Sequence, residues 1–184
     1  MPRIYKIECE VDGMGNIFMI SDMHFGHKHI IRYENRPFAT VDEMDNTMIQ
    51  NWNQMIGKDD VVFVLGDVSF YNKEKTTQII QSLHGYKTLI IGNHDEGRSV
   101  TWWREVGFEE VYRYPIVYEK FYILSHDPLY MSKNMPYANI HGHTHHLKYE
   151  DTQFFNVSVE CINYTPMRFD EIKAVITKSE EGAS

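Results

Sequence analysis

Five short apolar runs in this chain end on small residues followed at once by a carboxylate, an amide or an imidazole. NIFMI (16–20) runs into Ser21-Asp22-Met23-His24, and VVFVL (61–65) into Gly66-Asp67. TLII (88–91) runs into Gly92-Asn93-His94-Asp95, FYIL (121–124) into Ser125-His126, and YANI (137–140) into His141-Gly142-His143-Thr144-His145. Runs of this length, rich in β-branched and aromatic residues and bounded by glycine or polar residues, are buried strands rather than helices. Ligands of α/β sheets gather beyond the carboxyl ends of the strands. The pattern therefore predicts one convergent site fed by five loops.

Two further strands are expected at IYKIECE (4–10) and FFNVSV (154–159). Thr40-Val-Asp-Glu43 is a capping box, and Met44, Met48, Trp52, Met55 and Ile56 after it line one helical face, which reads as core. Shorter helices are expected over 73–84 and 99–106, ended by Gly85 and Gly107. Strands alternating with helices early and a run of strands late predict an α/β protein with a partly mixed sheet. No repeat, low-complexity tract or linker divides the chain, so residues 1–184 read as one domain.

The net charge of −8, with no run of Lys or Arg longer than two, argues against a sequence-independent grip on long nucleic acid. A small anionic substrate stays compatible, because bound cations reverse the local field. Cys9 and Cys161 match no Cys-x-x-Cys spacing and read as reduced thiols. The opening MPRIYKIECEVDG lacks the apolar core of a signal peptide, and no stretch approaches the roughly 20 apolar residues of a membrane span. The expectation is a cytoplasmic protein without a membrane partner.

The candidate donors are Asp22, His24, Asp67, Asn93, His126, His143 and His145, more than one four-coordinate ion uses, and none is a thiolate. Such nitrogen and oxygen mixtures suit Mn²⁺, Fe, Zn²⁺, Co²⁺ or Ni²⁺. If Asp67 bridges, the set divides into two groups of four, and a pair of cations about 3.5–4 Å apart can polarise a phosphoryl group and acidify a shared water. His94 is left over; oriented by Asp95, it is suited to protonate a leaving alkoxide.

In that order, Asp-x-His, Gly-Asp, Gly-Asn-His-Asp, a later His and Gly-His-x-His resemble the calcineurin-like metallophosphoesterase superfamily, over residues 16–159. The resemblance implies a four-layer αββα sandwich of two mostly mixed sheets flanked by helices, around a dinuclear centre, with Mn²⁺ favoured. Carried over by position, one metal takes Asp22, His24, Asp67 and His145, the other Asp67, Asn93, His126 and His143, with His94 as the catalytic histidine. SDMHFGHKHIIRYENRPF, GDVSF and NVSVECINYTP look more narrowly like the small bacterial and phage phosphoesterases of this superfamily. The protein Ser/Thr phosphatase branch follows Gly-Asp with x-x-Asp-Arg-Gly. Here Gly66-Asp67 runs into Val68-Ser69-Phe70-Tyr71, which argues against phosphoprotein hydrolysis.

His27, Arg36, Tyr71 and Tyr130 lie just beyond ligand strands and are candidates to face substrate, alongside Asn93. The planar fork of Arg36 matches phosphate oxygens, and equally matches an ion pair within the protein. His141 and His146 read as supports of the metal loop, and Trp102 and Trp103 as core. No large cap domain is expected, so the site should be open. The expected activity is hydrolysis of phosphodiesters of nucleotide or short oligonucleotide type, with a phosphomonoesterase of nucleotides or small metabolites as the alternative. A non-catalytic scaffold is the third reading, although such a protein would be expected to lose His94 or a ligand.

Overall fold

The runs that carry polar residues at their ends form parallel strands. In the computed structural model, residues 15–181 are described apart from 133, 148, 150 and 152, with side chains to Ile176. Ile17–Ile20 (β1), Val61–Val64 (β2) and Tyr86–Ile90 (β3) pair in parallel, Ile17 opposite Val61 and Val61 opposite Tyr86. Glu110–Tyr112 (β4) adds in parallel to β3, and Met167–Arg168 (β9) runs antiparallel to β1, giving the order β4-β3-β2-β1-β9. A second sheet holds Ile116–Tyr118 (β5), Tyr122–Leu124 (β6), Ala138–His141 (β7) and Phe154–Asn156 (β8) in sequential order. There β6, β7 and β8 are parallel and β5 is antiparallel to β6.

The strand period of two sorts these side chains between two cores. Phe18, Ile20, Val62, Val64 and Leu89 join Met44, Met48, Trp52, Ile79, Ile80, Trp103 and Val106 of Val41–Met55 (α2), Lys73–Ser82 (α3) and Val100–Val106 (α4). Met19, Val61, Phe63 and Ile90 instead meet Ile116, Tyr118, Leu124 and Ile140 of the second sheet, with Phe169, Ile172 and Ile176 of the closing helix Phe169–Glu181 (α5). The architecture is the expected α/β arrangement of two mixed sheets with flanking helices. A short turn of helix, Ile30–Tyr33 (α1), precedes α2.

The helix starts follow their caps. Thr40 Oγ1 accepts from Glu43 N at 3.1 Å, and Glu43 Oε2 accepts from Ala39 N at 2.8 Å, one residue earlier than the expected reciprocal bond. Asn72 and Ser99 cap α3 and α4 in the same way. The expected stripe on α2 holds except at Met55, which is 46% exposed. The helix ends there, and the extended backbone of Ile56 turns that side chain inward instead. Strands β4, β5 and β9 and helices α1 and α5 add to the expected elements, and the strand expected at 4–10 lies outside the described residues. Among the described residues no helix is long and apolar enough to cross a membrane.

Candidate metal centre

The carboxyl ends of β1, β2 and β3 point to the same edge as those of β6, β7 and β8, and Ser21 joins the two sheets there. Its N–H donates to Val157 O at 2.9 Å and its carbonyl accepts from Val159 N at 3.1 Å, a parallel bridge at Ser158. The five polar strand ends therefore face one another across the joint. Three glycines allow the loops to close up. A Cβ on Gly142 would meet Ser21 Oγ and Asp22 Oδ2, and one on Gly92 the Asp67 carboxylate and backbone N. Gly66 combines such crowding, against His126 and Gly92, with a φ of +90°.

The donors themselves sit on unusual backbone. Asp22, His24, Asp67, His143 and His145 have φ of 59°, 52°, 56°, 66° and 48°, half of the ten described non-glycine residues with positive φ. Each such position costs of order 1–3 kcal/mol and persists only where its surroundings demand it.

All seven expected donors converge. Ligand atoms of Asp22, His24 and His145 lie within 4.8 Å of one another, as do those of Asp22, Asp67 and His126. Asn93 Oδ1 stands 2.9 Å from His126 Nε2 and 3.0 Å from His143 Nδ1. Asp67 Oδ2 lies between the groups, 3.4 Å from His24 Nε2 and 3.5 Å from His126 Nε2. Supports fix the rings and carboxylates. His126 Nδ1 donates to Leu65 O at 2.7 Å, which turns Nε2 toward Asn93 and Asp67. Asp22 Oδ2 accepts from His143 N at 2.8 Å and Ser158 Oγ at 2.9 Å, and Asp67 Oδ1 accepts from His94 N at 3.0 Å.

What remains unmatched tests whether cations fit. Asp22 Oδ1 and both ring nitrogens of His24 are buried with no hydrogen-bond partner. Buried polar groups are ordinarily paired, and a buried carboxylate oxygen facing imidazole nitrogen acceptors is what a divalent cation resolves. The electrostatics agree. Burial holds His24 down to about 4, so its ring is neutral and able to ligate. Burial pushes the Asp67 carboxyl up, with Asp22 and Asp95 adding to the rise and His126 opposing it. The donor set fits divalent ions.

Two expected roles are corrected. Arg36 does not face the opening. It is buried, its Nε and one Nη lie 2.9 and 2.7 Å from Glu160 Oε1, and its Nη groups donate to Met23 O and Asp22 O at 3.0 and 2.7 Å. With its donors so engaged it makes the internal ion pair rather than a phosphate contact. Asp95 does not orient the His94 ring. Its buried carboxylate accepts from the backbone N–H groups of Asp67, Val68 and Gly92 at 2.8, 3.1 and 3.0 Å, so it shapes the Asp67 loop. Neighbours in a turn point apart, and the carboxylate nearest His94 Nε2 is Asp67 Oδ2 at 3.9 Å. Tyr71 donates to Asp45 Oδ2 at 3.0 Å with its ring under Gly26, and Tyr130 is 98% exposed. His27 is half-buried and stacks on Phe70.

Glu160 and Asp127 complete the centre and were missed in the sequence. Glu160 Oε1 also accepts from His145 Nδ1 at 3.0 Å, turning the other nitrogen toward Asp22 and His24. Its signal was a sixth strand end, since FFNVSV runs directly into Glu160. Asp127, beside His126, brings Oδ1 to 3.5 Å from His143 Nε2.

A fold of two mixed sheets with this cluster at their shared edge defines a metallophosphoesterase, and the chain belongs to the calcineurin-like phosphoesterase family, whose sequence profile matches residues 15–174. It is similar to the uncharacterized protein MJ1445 of Methanocaldococcus jannaschii, 37% identical over 179 residues and covering 91% of this chain and 94% of the relative. The gene 66 protein of Mycobacterium phage L5 is 38% identical over 85 residues, 45% of this chain and 41% of the phage protein. The crystal structure of AQ665, a protein of unknown function from Aquifex aeolicus, shares the fold with a TM-score of 0.69 at 23% identity, over 87% of this chain and 98% of that one. The chain is thus a metal-dependent phosphoester hydrolase by family, with clustered candidate ligands at the expected place.

Proposed function

We propose that this phosphoesterase hydrolyses phosphodiesters of nucleotide or short oligonucleotide type, at a centre for two divalent cations. The observation that carries the reading is the unpartnered buried set of Asp22 Oδ1 and the His24 nitrogens, with Asp67 Oδ2 between two groups of donors. Asp22, His24, Asp67 and His145 would hold one ion, and Asp67, Asn93, His126 and His143 the other. Bound there, Mn²⁺, or Fe, Zn²⁺, Ni²⁺ or Co²⁺, supplies Lewis acidity toward a phosphoryl oxygen and toward water.

The protein's own groups do the rest. His94, half exposed at the rim and held through its backbone N–H by Asp67, carries a proton at Nε2 for the departing alkoxide. The Asn93 amide aligns the second group of donors and reaches toward substrate. A diester is favoured over a monoester because the guanidinium groups beneath the site are engaged internally: Arg36 with Glu160, and Arg98 with the carbonyls of Ser69 and Tyr71 at 2.6 and 2.8 Å. Neither is offered to the second negative charge of a monoester.

Purified protein with Mn²⁺ should cleave bis-p-nitrophenyl phosphate faster than p-nitrophenyl phosphate. Asn93→Ala should lower that rate, and His94→Ala should lower the hydrolysis of a dinucleoside phosphate, whose alkoxide leaving group needs a proton, by about two to four orders of magnitude. A monoester preference would move the assignment to the phosphomonoesterase reading, and rates indifferent to both substitutions would refute it.

A further inference from the structure

Past the ends of β1 and β2 the two ligand loops stay paired. Asp22 N donates to Gly66 O at 3.1 Å, His24 N to Asp67 O at 3.0 Å, Phe25 N to Val68 O at 3.0 Å, and Phe70 N to Phe25 O at 2.8 Å. This pairing seats the Phe70 ring on His27, with centroids 4.2 Å apart and planes at 20°. The row of rings continues outward from His27 to Tyr33 at 6.2 Å and to His29 at 6.4 Å. Its inner end reaches the chemistry, for Phe70 lies 5.1 Å from the His94 ring and 5.4 Å from that of His24. Yet Phe70 is 41% and Tyr33 66% exposed, so aromatic surface stands open to water, and the His94 ring beside Phe70 is half exposed. Lys28 and Arg32 are exposed on the same stretch, local cations on a chain of net charge −8.

Aromatic faces interleaved with cations are the chemistry that holds unstacked bases and their phosphates. We propose that Phe70, His27 and Tyr33 form a base-stacking subsite, so that the preferred phosphodiester carries a nucleoside on the His94 side of the centre, with Lys28 and Arg32 toward a flanking phosphate. The subsite rests on the phosphodiesterase reading and narrows it.

The test compares thymidylyl-(3′→5′)-thymidine with thymidine 3′-(methyl phosphate) in the Mn²⁺-loaded protein. Both leave thymidine 3′-phosphate, so their difference reports the departing group on the His94 side alone. The ratio of kcat/KM, thymidine over methyl, should be about tenfold or more, and should fall toward one in Phe70→Ala and in Tyr33→Ala while Phe70→Trp keeps it. A ratio near one in the unsubstituted protein, or one that survives both alanine substitutions, would overturn the subsite. If neither ester is hydrolysed, the phosphodiesterase reading fails. The subsite is then judged by the fluorescence of a 2-aminopurine dinucleotide, which stacking quenches. Quenching that is lost in Phe70→Ala supports it, and no quenching overturns it.

Discussion

Arg36 commits its guanidinium to Glu160 and to the carbonyls of Asp22 and Met23, so its influence on the site passes through the placement of donors. Removing one member of a buried pair leaves the other charged and uncompensated, at about 3–5 kcal/mol. Arg36→Ala should lower stability by that amount in a urea titration. A large rise in KM for a diester with unchanged stability would instead restore the phosphate contact. Glu160→Gln keeps the shape but weakens the hold on His145, and should loosen Mn²⁺ binding about 10- to 100-fold by calorimetry. The convergence of the seven candidate donors was legible in the sequence because residue type, order and strand-end position all mark them. Arg36 and Glu160 were not readable as a pair, since they lie 124 positions apart and nothing local announces their contact. Asp95 misled for the opposite reason: adjacency to His94 along the chain is not adjacency of side chains.

Helix α2 reaches the site through Asp45, which accepts from Gly26 N at 3.1 Å and from the Tyr71 hydroxyl at 3.0 Å and so ties both ligand loops to the helix. Burial pushes its carboxyl up to about 6, although those hydrogen bonds pull the other way. The folded value lies above the unfolded one of 3.8. Its contribution to stability is therefore complete below about pH 4 and is lost as the pH rises through about 6. Asp45→Asn cannot ionise, so relative to the unsubstituted protein it should gain about 2 kcal/mol between pH 4 and pH 8. A stability difference that does not change with pH would contradict this. At this scale β1, β2, β3, β6, β7 and α2 were legible from apolar period and capping. Strands β4 and β5 were not, because each is three residues long within a stretch where tyrosines, glutamates and a proline blur any alternation. Helix α5 was not anticipated, because FDEIKAVITKSEE mixes β-branched residues with charges, and the packing of Phe169, Ile172 and Ile176 settles it.

The whole molecule brings two sheets together through Ser21 and places five left-handed donor residues at the joint, so folding and metal binding share a free energy. Cations that bind only the folded chain stabilise it by RT ln(1 + [L]/Kd), about 2.7 kcal/mol at a hundredfold excess over Kd. Mn²⁺ should accordingly raise Tm by about 5–10 °C, and chelation should reverse the rise. A Tm indifferent to metal would mean that the unpartnered acceptors are satisfied in some other way. The sharing of Asp67 is tested most directly by electron paramagnetic resonance of the protein titrated with Mn²⁺. A spectrum of exchange-coupled ions that grows in at full loading, and that Asp67→Ala abolishes, is the predicted result. The hyperfine pattern of isolated ions at every loading would contradict it.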